Sequence, residues 1–309
     1  MKKALLVLLF LFNVVSNGYS QQISFLDSYL INPVVISPAF TGKVNSFQAY
    51  LTYRREWTNI PGSAQIGSLN IDGSPTKNMG VGGSILFNNA GIFRNFSINL
   101  NYAYHLQIAK EHVLSFAVNL ALYQNSIDLT DVIVSDPQDP LLISNDRITE
   151  TYFNVGTSLL YNWKDLNVCV AFPLLFNNKS FYNSSIYNHV LTMDRNWLLY
   201  LNYNLRFSSE WKLKFDLLFR QVQYSPWSIE FSTIAKYSDD YWFGLFYRKG
   251  NIIGLTAGLA IIDRILIGYN YEFSVSAMMG KSGGTHEITL GYRLVKKTII
   301  PRIKEYITK

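Results

Sequence analysis

The sequence predicts an all-β chain: a transmembrane, antiparallel, up-and-down β-barrel of about 14 strands that follows a cleaved signal peptide. Three observations carry this prediction. The chain alternates between apolar and polar residues with period two from Asn45 onward. It begins with an export signal. And only 16% of its 309 residues are charged, against 49% hydrophobic and 15% aromatic. A water-soluble domain ordinarily carries about a quarter charged residues, so an all-aqueous surface fits poorly.

Taken in order, Lys2 and Lys3 precede the apolar stretch Ala4 to Val15, and Gly18-Tyr19-Ser20 supplies small residues for cleavage, so residues 1–20 read as a secretory signal peptide. No later run of 18 or more apolar residues offers a transmembrane helix. Residues 21–44 read as an N-terminal periplasmic segment or partial plug, 45–294 as the barrel, and 295–309 as a basic periplasmic tail. In the tail, Ile299, Ile300, Ile303 and Ile307 recur at near-helical spacing after Lys296 and Lys297, which fits either a short amphipathic docking element or a frayed end.

Within the barrel region, Phe96, Ile98, Leu100, Tyr102, Tyr104 and Leu106 alternate with Asn95, Ser97, Asn99, Asn101, Ala103 and His105. Leu213, Phe215, Leu217 and Phe219 alternate with Lys212, Lys214, Asp216 and Leu218, and Ile265 to Val275 behaves likewise. Successive strand side chains point to opposite faces, so each segment has one apolar and one mainly polar face. Such segments lie near 45–55, 63–72, 78–88, 93–106, 111–123, 151–162, 166–174, 195–207, 211–223, 227–238, 241–248, 251–262, 264–276 and 285–294. A soluble β-sandwich would also alternate. The aromatic apolar faces, export and a parity rule in the connections favour the barrel. Connections after even-numbered strands are short, as at Ala109-Lys110, Lys164-Asp165 and Asp239-Asp240, whereas the long ones, roughly 124–150 and 175–194, follow odd-numbered strands. That is the bacterial arrangement of short periplasmic turns and longer outer loops, and an even strand count places both termini in the periplasm. A 14-stranded lumen is too wide for one layer of inward side chains, so it must hold water, loops or the 21–44 segment.

Charge excludes a nucleic-acid surface. The net charge of +6 comes from the two ends, because residues 21–294 carry 20 basic and 20 acidic groups. The single Cys169 excludes a disulfide framework and a cysteine metal cluster, and its place between Val168 and Val170 turns it toward the lumen.

Three stretches are less generic: Leu30-Ile31-Asn32-Pro33 to Ser37-Pro38-Ala39-Phe40-Thr41-Gly42, Tyr53-Arg54-Arg55-Glu56-Trp57 to Pro61-Gly62, and Gly283-Gly284-Thr285-His286-Glu287-Ile288 to Arg293. In order and spacing they resemble the PorP/SprF family of outer-membrane proteins, associated with type IX secretion and gliding. Ser37 stands where the family's second Asn-Pro would have Asn, and the chain runs about fifteen residues past the usual last strand. The resemblance implies a barrel without catalysis. Its partners would be outer-membrane lipid, type IX secretion components, a secreted surface protein, and a periplasmic or peptidoglycan-linked protein. The partner-binding candidates are Asn32, Pro33, Pro38, Ala39, Phe40, Gly42, Arg54, Trp57, Pro61, Gly62, His286 and Glu287. The bland readings are a turn-rich lead-in for Pro33, Pro38 and Gly42, an interfacial anchor for Trp57, and a lumen-facing Arg54.

No catalytic, cofactor or metal constellation stands out. His105, His112, His189 and His286 are scattered, His286 and Glu287 face opposite sides of a strand, and the aspartates at 128, 131, 136, 139 and 146 lack EF-hand spacing. The chain therefore reads as a non-enzyme without cofactor. Two rivals remain: a passive pore or small-solute transporter, suited by the polar parity of Asn95, Asn99, Asn101, Asn204, Asn270 and Glu272, and an outer-membrane lipid enzyme.

Overall fold

The computed structural model describes residues 25–44, 46–130, 147–183, 188–262, 264–275 and 279–294. Residues 1–20, expected as a signal peptide, the aspartates at 131, 136, 139 and 146 and the tail from 295 lie outside the described residues.

Strands β1 (Phe47–Arg55), β2 (Gln65–Thr76), β3 (Met79–Ala90), β4 (Phe93–Ala109), β5 (His112–Asp128), β6 (Arg147–Trp163) and β7 (Leu166–Leu174) form half of the wall. A small hairpin, β8 (Asn178–Asn183) and β9 (Asn188–Met193), follows. The wall then resumes with β10 (Asn196–Arg206), β11 (Trp211–Val222), β12 (Ser228–Tyr237), β13 (Tyr241–Arg248), β14 (Ile252–Ile261), β15 (Ile265–Ser274) and β16 (Thr285–Leu294). Fourteen antiparallel strands close into one barrel, sealed by β1 against β16 from Phe47↔Leu294 to Arg55↔His286. Closure is what lipid demands, because an open edge there would leave a row of backbone groups without hydrogen-bond partners.

The alternation works as expected. Leu100, Tyr102, Phe116, Leu120, Phe243 and Leu245 are exposed on the outer wall. So continuous an apolar surface suits lipid and not water. Trp163, Trp211, Tyr237 and Tyr241 sit near one rim, and Phe93, Trp197, Trp227 and Tyr247 near the other, as interfacial girdles do.

Six connections, β2–β3, β4–β5, β6–β7, β10–β11, β12–β13 and β14–β15, take only two to four residues and share one rim. The strand ends joined across 56–64, 129–146, 175–195 and 275–284 lie at the opposite rim. Two expectations about this rim need correction. Strands β5 and β6 run to 17 residues each and extend on this side well beyond the 111–123 and 151–162 segments, with the β5–β6 register continuing to Asp128↔Arg147. A span needs only about 10 residues, so this wall projects past the membrane. Asp128 there accepts from Arg94 and Arg147 at 2.8 and 2.6 Å. And the 175–194 connection, expected as plain loop, contains the β8–β9 hairpin.

Candidate functional site

The lumen is filled by residues 25–44, which fold as three short 3-10 turns: Asp27–Leu30, Pro33–Val35 and Pro38–Phe40. Sequence dictates the second and third. A proline can open a helical turn because its missing N–H would be unsatisfied there anyway. The residue before each proline caps it: Asn32 Oδ1 accepts from Val34 N at 3.3 Å, and Ser37 Oγ from Ala39 N at 3.2 Å. Ser37 thus does for its turn what Asn32 does for the other.

The segment threads the lumen from rim to rim. Phe25 meets Arg220 and Arg248, at the loop-side ends of β11 and β13, whereas Gly42 lies against Gly73 and Gly80 beside the β2–β3 turn. The first described residue therefore lies at the rim opposite the last, while both termini themselves lie outside the described residues. Leu294 ends at the short-turn rim, but Phe25 sits at the loop-lined rim, because even strand parity takes no account of a segment that runs back through the barrel.

At the loop-lined end, the contacts are ionic. Arg54 reaches Asp27 at 2.7 Å, Glu272 at 2.7 Å, Glu287 at 3.3 Å and Glu56 at 3.1 Å. Arg248 reaches Asp27 at 2.6 Å, Glu230 at 2.5 Å and Glu272 at 2.7 Å. Tyr29 donates to Glu230, and Asp27 N–H to Glu287 Oε2 at 2.9 Å. Burial alone would raise the Asp27 pKa. The Arg54 and Arg248 guanidiniums more than offset it and hold the carboxyl at about 2, so Asp27 stays ionised. Burial and the neighbouring Glu230 push the Tyr29 hydroxyl up, which keeps it a donor.

Midway, the contacts are apolar. Tyr29, Leu30, Val34, Ile36, Ala39 and Phe40 pack against Ala103, Ala117, Leu160, Ala171, Tyr200 and Trp242 of the wall. Small inward residues make the room: an ideal Cβ on Gly268 would stand 2.5 Å from Ile31 Cδ1. Lys214 donates to the Leu30 carbonyl at 2.8 Å, Ser158 Oγ accepts from Ala39 N at 2.9 Å, and the Cys169 thiol donates to Ser37 Oγ at 3.2 Å. At the short-turn end the contacts are backbone approaches. Asp72 accepts from Gly42 N at 2.9 Å, His105 Nε2 lies 3.0 Å from the Thr41 carbonyl, and Gly80 touches Thr41.

The twelve sequence candidates divide three ways. Asn32, Pro33, Pro38, Ala39, Phe40, Gly42, Arg54 and Glu287 are all inside the barrel, and of these only Arg54 and Glu287 meet directly. Trp57, Pro61 and Gly62 are exposed on the loop-lined rim, where Thr58 N and Asn59 N donate to the carbonyls of Gly284 and Ser282. His286 faces the outer wall, with Nδ1 2.6 Å from the Tyr269 hydroxyl. Sequence reading missed Asp27, Glu230 and Arg248. The available signal was an inward-parity charge near the loop-side end of β12 and of β13, level with Arg54 and Glu272. Among the described residues no group of His, Cys, Asp or Glu is arranged to hold a metal ion.

Fold and lumen define the class: an outer-membrane β-barrel whose interior is occupied by its own N-terminal segment. The solved structures agree at the level of fold. The chain matches a monoaromatic hydrocarbon channel, CymD, with 10% identity and TM-score 0.50 over 89% of this chain and 94% of that one. It also matches a Pseudomonas aeruginosa FadL homologue (10%, 0.49, 83% and 90%) and the Acinetobacter baumannii outer membrane protein Omp33 (8%, 0.48, 81% and 99%). No curated protein matches in sequence. The family model of the type IX secretion system membrane proteins PorP/SprF matches residues 18–292, and the chain belongs to that family.

Proposed function

We propose that this protein is a non-enzymatic outer-membrane barrel that supports type IX secretion, gliding or surface attachment of secreted proteins through protein–protein contacts at its rims. The observation that carries this reading is the filled lumen. Residues 25–44 are buried for most of their length and held at both ends, which leaves the rims for partners. In this reading residues 1–20 are a cleaved signal peptide, 21–44 the plug, and the short-turn rim and the 295–309 tail face the periplasm. Trp57, Pro61 and Gly62 then face outward toward a secreted protein, and secretion components or a peptidoglycan-linked protein meet the inner rim.

Deletion is expected to abolish surface display of at least one type IX cargo; undiminished display of every cargo overturns the role. Orientation is tested separately. Pro61→Cys is expected to react with a membrane-impermeant maleimide on intact cells and Lys110→Cys only after permeabilisation, and the reverse pattern inverts the barrel. The second reading, a passive pore or small-solute transporter, draws on the polar residues lining parts of the wall and on the channel-type fold. Purified protein in planar bilayers is expected to show no large stable conductance, and such a conductance would favour the pore.

A further inference from the structure

Arg54 and Arg248 are saturated with carboxylates. Arg220, the third arginine at this end of the lumen, is not. Its guanidinium lies 3.7 Å from the centroid of the Phe25 ring and, among the described residues, has neither an ion-pair partner nor a hydrogen bond. The nearby carboxylates are already engaged: Glu230 takes Tyr29 on one oxygen and Arg248 on the other, and Asp27 takes Arg248 and Arg54. Arg220 lines a cavity of about 90 Å³ between Phe25, Leu26, Val35 and Ile36 of the plug and strands β10 to β12, which reaches the rim at the exposed Pro226. Apolar side chains, among them Ile36 and Val222, form most of its lining. The polar exceptions besides Arg220 are Asn196, whose side-chain oxygen is buried without a partner, and Ser228.

We propose that this pocket binds the C-terminal residue of a polypeptide, with the terminal carboxylate on Arg220, an aliphatic side chain in the apolar cavity and the residue's own N–H on the orphaned Asn196 oxygen. Each part follows from an unmet need. A planar guanidinium already stacked on an aromatic face presents its N–H edge in the fork that matches a carboxylate. A buried amide oxygen without a donor calls for an N–H, which a carboxylate cannot supply and a peptide bond can. The volume admits one aliphatic side chain and excludes a drug-sized ligand. The pocket chemistry does not depend on the secretion role, although it would give that role a specific contact.

The test uses the full-length barrel purified in detergent and isothermal titration with four probes: N-acetylleucine, N-acetylleucinamide, 4-methylpentanoate, and a ten-residue peptide ending in a free leucine. N-acetylleucine and the peptide are expected to bind, the amide to bind at least tenfold more weakly, and 4-methylpentanoate, which lacks the N–H, to fall between. Arg220→Met is expected to weaken N-acetylleucine at least tenfold and Arg220→Lys less, with unchanged heat-modifiable migration showing both barrels folded. Asn196→Leu is expected to erase the preference for N-acetylleucine over 4-methylpentanoate. Equal binding of acid and amide, or undiminished binding by folded Arg220→Met, overturns the site. If N-acetylleucine binds and the peptide does not, the occupant is a free small acid and the polypeptide assignment falls. A failed cargo-display test alongside intact N-acetylleucine and peptide binding would remove the secretion role and leave the site.

Discussion

The two ends of the lumen hold the same segment by opposite means. At the loop-lined end, Asp27 is gripped by charge, through Arg54 and Arg248 and the carboxylates gathered around them. At the short-turn end, Thr41 and Gly42 are gripped by shape. Gly42 adopts φ +70, and its ideal Cβ would stand 2.4 Å from Gly80 Cα. Charge in a low-dielectric interior is strong while every member is paired and costly once one is missing. The Gly42–Gly80 contact carries no charge, and Asp72 and His105 add one hydrogen bond each beside it. The plug therefore has one end whose grip depends on a network of ion pairs and one whose fit depends on two missing side chains.

The largest effect is expected from breaking the ionic end. Arg248→Met leaves Glu230 Oε2 and Asp27 Oδ1 without their cation inside the barrel, at a cost of about 3–5 kcal/mol. Residues 25–44 should become sensitive to added protease and the bilayer conductance should rise. Removing charge from both sides at once, as in Arg248→Met with Glu230→Gln, should cost less than Arg248→Met alone. If the pair is as disruptive as the single change, unpaired charge is not what the loop-lined end depends on.

Gly80→Ala tests the steric end. The new methyl would meet the Thr41 carbonyl oxygen at 1.9 Å, and backbone cannot swing aside as a flexible side chain can. Overpacking of this kind costs about 1–3 kcal/mol. Loosening should be confined to residues near Thr41. Protease protection of the Asp27 end that falls together with the Thr41 end would show that the plug moves as one body and that the comparison is too sharp.

Acid should loosen the loop-lined end without any mutation. The Asp27 carboxyl sits at about 2 in the folded barrel against 3.8 ordinarily. Its contribution is therefore fully present above about pH 4 and is lost as pH falls toward 2, a change of about 2 kcal/mol. Conductance measured from pH 5 to pH 2 should rise over that window in the wild type. In Asp27→Asn the same interval should lack this step, because the group that titrates is gone.

The wall was legible in the sequence because period two is a local property, and in a membrane barrel nearly every strand obeys it. Phe96 to Leu106 against Asn95 to His105 needs no knowledge of any other segment to be read. The excess length of β5 and β6 was not legible, because beyond the membrane both faces can be polar and Asn125, Ser126, Thr149 and Glu150 stop alternating. The candidate site was half legible. Arg54, Glu272 and Asn270 could be assigned to the inner face by parity, yet their pairing joins β1 and β15 to the plug. Asp27 carries no periodic signal at all: one aspartate in Phe25-Leu26-Asp27-Ser28 becomes the hub only when the segment is laid through the barrel. Arg220 was harder still, since what marks it is the lack of a partner.

The smallest effect compares the two capped turns. Asn32→Ala removes the acceptor of Val34 N–H, whereas Ser37→Ala removes one of two acceptors of Ala39 N–H, the other being Ser158 Oγ at 2.9 Å. Losing a cap costs about 1 kcal/mol, and the second loss should be nearer about 0.5 kcal/mol because the N–H keeps a partner. Ser37→Asn restores the Asn-Pro pattern of the first turn and keeps an acceptor in place, so it should lie closer to wild type than Ser37→Ala. Heat-modifiable migration scored against temperature should rank the variants in that order. A Ser37→Ala barrel less stable than Asn32→Ala would mean that Ser37 matters chiefly as the acceptor for the Cys169 thiol, tying the plug to β7 instead of shaping its own turn.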